Sequence, residues 1–123
     1  MTGDEARVRI VLVGPCGSGK TTIAERLHEH GLDAIAVGQE HSIIRDLWRH
    51  PEPDLVVFLD ASLSTIRERR GEDWPEWLYC VELERLADAR AHADLVIDTG
   101  RYTVDEVVER VLALANECAG RER

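Results

Sequence analysis

The chain has 123 residues, of which 44% are hydrophobic and 32% charged, a length and composition typical of one globular domain with a modest core. Its formal net charge of -9 at pH 7 argues against a nucleic acid or an anionic membrane as partner, because both bind electropositive surfaces. No apolar run reaches the roughly 18 residues of a membrane span, and the first residues lack the apolar core of a signal peptide. We therefore expect one cytoplasmic domain over residues 1–123.

Strand and helix signals alternate along the first half of the chain. A nearly continuous apolar run predicts a strand over residues 7–13, buried on both faces as in a parallel sheet. A glycine-rich turn follows, and a helix is predicted over residues 20–30, where a glycine can end it. Short apolar strands are predicted over residues 34–37 and 55–59, with a helix over residues 41–49 between them.

The same alternation continues in the second half. Helices are predicted over residues 63–70 and 76–91, and a strand over residues 94–98. Thr103 and Glu106 have the spacing of a capping box that starts a last helix. The alternation predicts an α/β domain with a short parallel sheet of about four strands.

The turn after the first strand reads GPCGSGKT over residues 14–21 and matches the phosphate-loop pattern G-x-x-x-x-G-K-[ST]. A buried strand before it and a helix after it are the required context, because backbone N–H groups and the helix N-terminus can then face phosphate oxygens. Lys20 is predicted to reach the β- and γ-phosphates, and the Thr21 hydroxyl to ligate Mg²⁺. The residues of this stretch predicted to contact the nucleotide are Gly14, Cys16, Gly17, Ser18, Gly19, Lys20, Thr21 and Thr22.

Lys20 is also the only lysine among the 15 lysine and arginine residues of the chain. Arginine would bring a wide planar fork to this position, whereas the loop needs a compact ammonium that can reach between phosphates. The presence of lysine at this one position therefore agrees with phosphate binding. We expect the Lys20→Ala variant to lose nucleotide-dependent activity.

From the phosphate loop onward, the chain resembles the small P-loop kinases of the shikimate, adenylylsulfate and nucleoside or nucleotide kinase group. The resemblance rests on the stretches GPCGSGKTTIAERL, PDLVVFLDASLSTIRERR and ADLVIDTGRYTVDEVVERVLAL. It implies a three-layer P-loop NTPase fold that binds ATP and Mg²⁺. By position in the helix that enters the lid, Arg69 would stack on adenine, and Arg67 and Arg70 would be able to reach phosphate. Arg101 would border the base. The alternative for the RERR run is a solvated helix end that complements the helix dipole.

The interval between the second strand and the next predicted strand departs from this group. Only sixteen residues, 38–53, stand where the kinases have a substrate-binding segment and a further strand. The acceptor-binding region is therefore reduced, and the resemblance implies no particular acceptor. If the missing strand normally lies beside the phosphate-loop strand, the second predicted strand should take its place and give the sheet order 2-1-3-4.

This sheet order would bring Glu40 close to the γ-phosphate, where its carboxylate could serve Mg²⁺ or orient a water. Asp60, which ends an apolar strand in the manner of a Walker B aspartate, is the competing metal ligand. In the resembled kinases the aspartate of that strand is not the main metal carboxylate, so we favour Glu40.

Two functions are compatible with these residues. The first is an enzyme that hydrolyses ATP or transfers its γ-phosphate to an unidentified small acceptor, with Lys20, Glu40 and Arg70 as catalytic groups. The second is a nucleotide-gated interaction module that hydrolyses ATP or GTP slowly and binds a protein partner, or a second copy of itself, through residues 38–50. ATP is favoured over GTP because the chain has no NKxD-like guanine-reading motif.

Two further sets of residues are interpreted as structural. The three cysteines are widely spaced and form no CxxC pair, so we expect reduced structural thiols rather than a metal site. Trp77 and Val81 lie four positions apart and share a helix face, which favours packing of that helix onto the sheet.

Overall fold

The computed structural model of the protein describes residues 8–121, and its centre is a four-stranded parallel sheet. The strands are β1 (Arg9–Val13), β2 (Asp33–Ala36), β3 (Leu55–Asp60) and β4 (Leu95–Asp98). Their spatial order is β2-β1-β3-β4, and each neighbouring pair is parallel. The predicted α/β class and the predicted order 2-1-3-4 are confirmed. Arg7, where the sequence places the start of the first strand, lies outside the described residues.

Four α-helices accompany the strands: α1 (Lys20–Glu29), α2 (Leu63–Arg70), α3 (Glu76–Ala91) and α4 (Val104–Arg121). Their positions agree closely with four of the five helices predicted from the sequence. Within residues 8–121, no helix combines the length and the apolar character that a membrane crossing requires.

Side-chain caps define where two of these helices begin. Ser62 precedes α2, and its Oγ accepts a hydrogen bond from the Thr65 N–H at 3.1 Å. Before α4, the Glu106 N–H donates to Thr103 Oγ1 at 3.1 Å, while the Thr103 N–H donates to Glu106 Oε1 at 2.9 Å. The predicted capping box is therefore present, and it satisfies two N–H groups that the helix itself leaves without partners.

The sheet is buried on both faces because successive side chains along β1 enter different cores. Ile10 and Leu12 pack in the cluster formed with α1 and α4, whereas Val11 and Val13 pack in the cluster formed with α3 and Trp48. This alternation produces the three layers expected of the fold. Because the strands are parallel, their carboxyl ends lie at the same edge of the sheet, where the phosphate loop follows β1.

The predicted helix over residues 41–49 is wrong. The segment instead contains two single-turn 3-10 helices, Gln39–His41 and Leu47–Arg49. The buried Gln39 side chain organises it: Oε1 accepts from the Trp48 N–H at 3.0 Å, and Nε2 donates to the Ile44 carbonyl at 2.7 Å. An amphipathic helix would bury its apolar side chains, yet Ile44 is 49% exposed.

The expected packing of Trp77 on the sheet is also wrong, since its side chain is 68% exposed. Trp77 lies in the first turn of α3, and the α3 residues that contact the sheet core come two to three turns later, at Leu86 and Ala89. The four-residue spacing to Val81 correctly identifies a shared helix face, but it cannot indicate how far along the helix the core begins.

Candidate nucleotide-binding site

The loop between β1 and α1 can be formed only with glycine at specific positions. A Cβ on Gly14 would lie 2.3 Å from the Leu59 backbone oxygen of the neighbouring strand, so no side chain fits there. Gly19 is the N-cap of α1 and has φ 104°, a conformation that other residues rarely adopt. The result is a tight loop that begins directly after a buried strand and ends at a helix N-terminus, as phosphate binding requires.

A cavity of about 530 Å³ opens beside this loop. The loop and the first turns of α1 form one wall, the 3-10 turn after β2 and the end of α2 form others, and the start of α4 completes it. The lining residues are Cys16, Gly17, Ser18, Gly19, Lys20, Thr21, Thr22, Ile23, Glu40, His41, Arg69, Arg70, Thr99, Tyr102, Val104 and Val107. Apart from Gly14, all the phosphate-loop residues predicted from the sequence line this cavity.

Lys20 and Glu40, predicted independently as catalytic residues, form an ion pair in this cavity. Lys20 Nζ lies 2.7 Å from Glu40 Oε2, and only 11% and 4% of the two side chains are exposed. The ammonium also donates to the carbonyls of Gly14 at 2.8 Å and Pro15 at 3.2 Å. Three oxygen atoms thus surround one compact ammonium, an arrangement that suits lysine better than a planar guanidinium.

The position of Glu40 follows from the sheet order. Because β2 pairs directly with β1, the chain leaving β2 passes the phosphate loop, and the 3-10 turn Gln39–His41 directs the Glu40 carboxylate at Lys20. His41 Nε2 lies 3.6 Å from Glu40 Oε2. The other oxygen, Oε1, is buried and makes no hydrogen bond within the described part of the chain. This oxygen is available to a cation or to an ordered water.

Arg69 and Arg70 reach the loop from the end of α2. The Arg69 guanidinium donates through Nη1 to the Gly17 carbonyl at 2.9 Å and through Nη2 to the Thr99 carbonyl at 2.7 Å. The stem of Arg70 passes close to Gly17, where an added Cβ would be 3.2 Å from Arg70 Cγ. Both arginines line the cavity as predicted, and the roles assigned to them stay predictions.

Thr99 is a site residue that the sequence reasoning missed. It is buried at the end of β4, and its Oγ1 donates to the Ser18 carbonyl at 2.9 Å and accepts from Arg69 Nη1 at 3.1 Å. Thr99 therefore connects the phosphate loop, β4 and α2. The available signal was a small polar residue directly after a parallel strand, at the edge where the phosphate loop also lies.

Two other predicted residues lie apart from the cavity. Asp60 accepts a hydrogen bond from the Ala61 N–H at 3.0 Å and lies 3.6 Å from Arg90 Nη2. Burial, and secondarily the Asp60 carboxylate, raise the pKa of the neighbouring Tyr79 hydroxyl. The Arg101 side chain is 81% exposed and lies 3.5 Å from Asp98. Neither Asp60 nor Arg101 is among the residues that line the cavity in the described part of the chain.

Comparison with known proteins agrees with this fold and loop. An AAA domain family model (AAA_18) matches residues 10–111, and the chain belongs to that family. A solved shikimate kinase from Acinetobacter baumannii, in complex with shikimate, superposes with a TM-score of 0.62 over 94% of this chain and 96% of its own, at 17% identity. At that identity the match shows the fold alone. The resemblance to small P-loop kinases is confirmed, and the protein is a P-loop kinase-like domain.

A curated relative from Archaeoglobus fulgidus, named "Putative adenylate kinase", is 29% identical over an alignment of 143 positions, gaps included, that covers 85% of this chain and 80% of the relative. The whole present chain has only 123 residues, so the aligned region of the relative contains residues that this chain lacks. This difference agrees with a shortened version of the kinase fold.

Proposed function

We propose that the protein binds ATP with Mg²⁺ in the cavity at the phosphate loop and transfers the γ-phosphate to a small acceptor or to water. The observation that carries the proposal is the buried contact of 2.7 Å between Lys20 Nζ and the Glu40 carboxylate, directly beside the loop. This pairing brings together a cation for phosphate charge and a carboxylate for a metal or a nucleophile. We further propose that residues 1–123 act as one nucleotide-binding domain.

The cavity fits a nucleoside triphosphate in size and in charge. Its volume of about 530 Å³ lies within the range of roughly 300–1,000 Å³ that small-molecule sites occupy. Lys20, Arg69 and Arg70 all line it, although the whole chain carries a net charge of -9.

Mg²⁺ binding would use the Thr21 hydroxyl and the unpartnered Glu40 oxygen Oε1, both of which belong to residues that line the cavity. A magnesium ion would supply charge neutralisation across the phosphates. Asp60 is the second candidate, although it lies 3.6 Å from Arg90 Nη2 and is not among the residues that line the cavity.

Several groups of the chain contribute to the transfer of the γ-phosphate. The bond from the γ-phosphorus to the leaving oxygen breaks while a bond to the acceptor oxygen forms, and negative charge spreads over the transferring oxygens. Lys20 and the loop N–H groups stabilise that charge. Arg70 would add a cation from the end of α2. Glu40 is placed to accept the proton of an acceptor hydroxyl or of a water.

A nucleotide-gated interaction module is the second candidate, and one feature favours it. The segment after Glu40 exposes two large apolar side chains, Ile43 (84%) and Ile44 (49%), on a chain whose acceptor region is short. A change at Glu40 on nucleotide binding would be transmitted directly to this segment. Its occupant would be a protein partner or a second copy of the chain.

Measurement of ADP release with and without candidate acceptors tests the proposal and separates the two functions. A transferase is expected to release ADP faster with one acceptor and to place label from γ-³²P-ATP on it, whereas a slow hydrolase without acceptor preference supports the interaction module. For nucleotide binding alone, Arg45→Ala is a control, because this exposed residue is not among those that line the cavity. No nucleotide binding by the wild-type protein would contradict both functions.

A further inference from the structure

Three residues from separate elements meet beside the phosphate loop, and none of them takes part in the transfer step proposed above. Cys16 belongs to the loop, His41 to the 3-10 turn after β2, and Glu82 to the middle of α3. A sulfur, a ring nitrogen and a carboxylate oxygen from these residues all lie within 4.8 Å of one another. They come from positions separated by up to 66 residues, so only the fold brings them together.

Glu82 is the feature that most requires an explanation. Its side chain is 0% exposed, although it carries a carboxylate in the middle of a helix that packs on the sheet. One oxygen, Oε1, accepts the Cys16 N–H at 3.0 Å. The other, Oε2, is buried and has no hydrogen-bond partner within residues 8–121. A buried carboxyl oxygen without a partner is unfavourable, and a bound cation would compensate for its loss of solvation.

We propose that Cys16, His41 and Glu82 form a binding site for a divalent transition metal of the Zn²⁺ class. A thiolate, an imidazole and a carboxylate are the ligand types that Zn²⁺ takes, while Mg²⁺ prefers oxygen ligands in an octahedral arrangement. The site is therefore chemically distinct from the Mg²⁺ site proposed at Thr21 and Glu40. The sequence spacing of the cysteines favours structural thiols, and it could not reveal a site assembled from three distant elements.

Charge and geometry are both compatible with such an ion. The Cys16 thiolate and the Glu82 carboxylate together balance its two positive charges. On binding, the bond between Cys16 Sγ and its proton breaks, a bond from Sγ to the metal forms, and the proton passes to the buffer. Tetrahedral Zn²⁺ places ligand atoms roughly 3.3–3.8 Å apart. The three ligand atoms now lie within 4.8 Å of one another, so they must move slightly closer together to bind the ion. The His41 side chain can make such a movement because it is 63% exposed.

The site has three protein ligands and leaves a fourth position to water. Cys16 and His41 also line the nucleotide cavity, so a metal bound here would connect the phosphate loop to the turn that carries Glu40 and to α3. Because the ion would bind the folded arrangement of three separate elements, it should raise the thermal stability of the protein.

Titration with Co²⁺ alone, followed by displacement with Zn²⁺, tests the proposal in the absence of nucleotide. The wild-type chain, kept reduced with a phosphine, is expected to bind one equivalent of Co²⁺ and to show the absorption of a cobalt–thiolate bond, which Zn²⁺ abolishes. Cys16→Ser should remove this absorption. Cys80→Ser is the matched control, because Cys80 is an exposed thiol outside the cluster, and it should bind as the wild type does.

Two further variants test the remaining ligands. Glu82→Gln retains an oxygen that can accept the Cys16 N–H, and His41→Ala alters an exposed side chain, so both should fold, as thermal unfolding will verify. Each should weaken Co²⁺ binding at least about tenfold. Absence of the thiolate absorption in the wild-type chain, its persistence in Cys16→Ser, its loss in Cys80→Ser, or unchanged affinity in either further variant would overturn the site as proposed. None of these outcomes depends on whether the protein binds ATP.

Discussion

Replacement of Glu40 by glutamine tests the core of the proposed chemistry. The Glu40 carboxylate is 4% exposed and lies 2.7 Å from Lys20 Nζ, so the substitution leaves a nearly buried ammonium without its counter-ion. Removal of one partner of a buried ion pair typically costs about 3–5 kcal/mol. Here the new amide oxygen can still accept a hydrogen bond, and the Gly14 and Pro15 carbonyls continue to do so. We therefore expect a smaller loss of about 2 kcal/mol in the free energy of unfolding.

For a domain of this length, that loss lowers the Tm by roughly 6–10 °C. The effect on turnover should be larger, because the variant lacks both a carboxylate for Mg²⁺ and an acceptor for the nucleophile's proton. We expect kcat for ADP release, measured at saturating Mg²⁺ and ATP below the Tm of the variant, to fall by about 100-fold or more.

The matched control is Asp60→Asn, which removes the same charge from the competing carboxylate. Its side chain is 35% exposed and lies 3.6 Å from Arg90, so the loss of stability should stay below about 1 kcal/mol. Turnover should change less than about threefold if Asp60 is not a metal ligand. Wild-type turnover in Glu40→Gln, or a large loss confined to Asp60→Asn, would refute the assignment of Glu40.

Three other predictions concern stability and binding. Gly14→Ala should destabilise the fold by about 3 kcal/mol or more in chemical denaturation, because its Cβ would lie 2.3 Å from the Leu59 oxygen. Thr99→Val should lower stability by about 1–2 kcal/mol and weaken ATP binding in calorimetry, because the loop loses the hydroxyl that holds the Ser18 carbonyl. Thr103→Ala should lower the Tm through loss of about 1 kcal/mol of helix capping, without a change in ATP affinity.

Each of these variants has an outcome that would contradict its reasoning. A Gly14→Ala protein as stable as the wild type would show that the close approach of the two strands is not required. Unchanged ATP affinity in Thr99→Val would mean that the hydroxyl is not needed to position the loop. A weaker ATP affinity in Thr103→Ala would show that the start of α4 acts on the nucleotide site beyond its own stability. As a control, Gly120→Ala should be tolerated, since an added Cβ there meets no atom within 4 Å.

The sequence predicts the sheet well because its strands carry strong local signals. Continuous apolar runs identify strands buried on both faces, and the short interval of residues 38–53 leaves no room for a fifth strand between β2 and β3. The order 2-1-3-4 follows from that interval, and with it the approach of Glu40 to Lys20. The length of this interval thus predicted that Glu40 lies near the γ-phosphate, and in the structure its carboxylate lies 2.7 Å from Lys20 Nζ.

The sequence fails to predict the structure where tertiary contacts, and not the local sequence pattern, determine the conformation or the burial of a residue. Residues 41–49 look helical by composition, but the buried Gln39 side chain bonds to the backbone of the segment and holds it in two short turns. Thr99 resembles an ordinary turn residue in the sequence, and its importance comes from contacts with Ser18 and Arg69. The burial of Glu82 has no local signal, because its partner at Cys16 is 66 residues away.

The central claim is that the loop around Lys20 binds the phosphates of ATP, and calorimetric titration of Mg²⁺-ATP into the wild type, Lys20→Ala and Arg45→Ala tests it most directly. The wild type and Arg45→Ala are each expected to bind one nucleotide per chain. Lys20→Ala should bind at least about tenfold more weakly, since it loses a charge-assisted hydrogen bond worth roughly 1.5–3 kcal/mol. Wild-type affinity in a folded Lys20→Ala protein, or no binding by the wild type itself, would contradict the account.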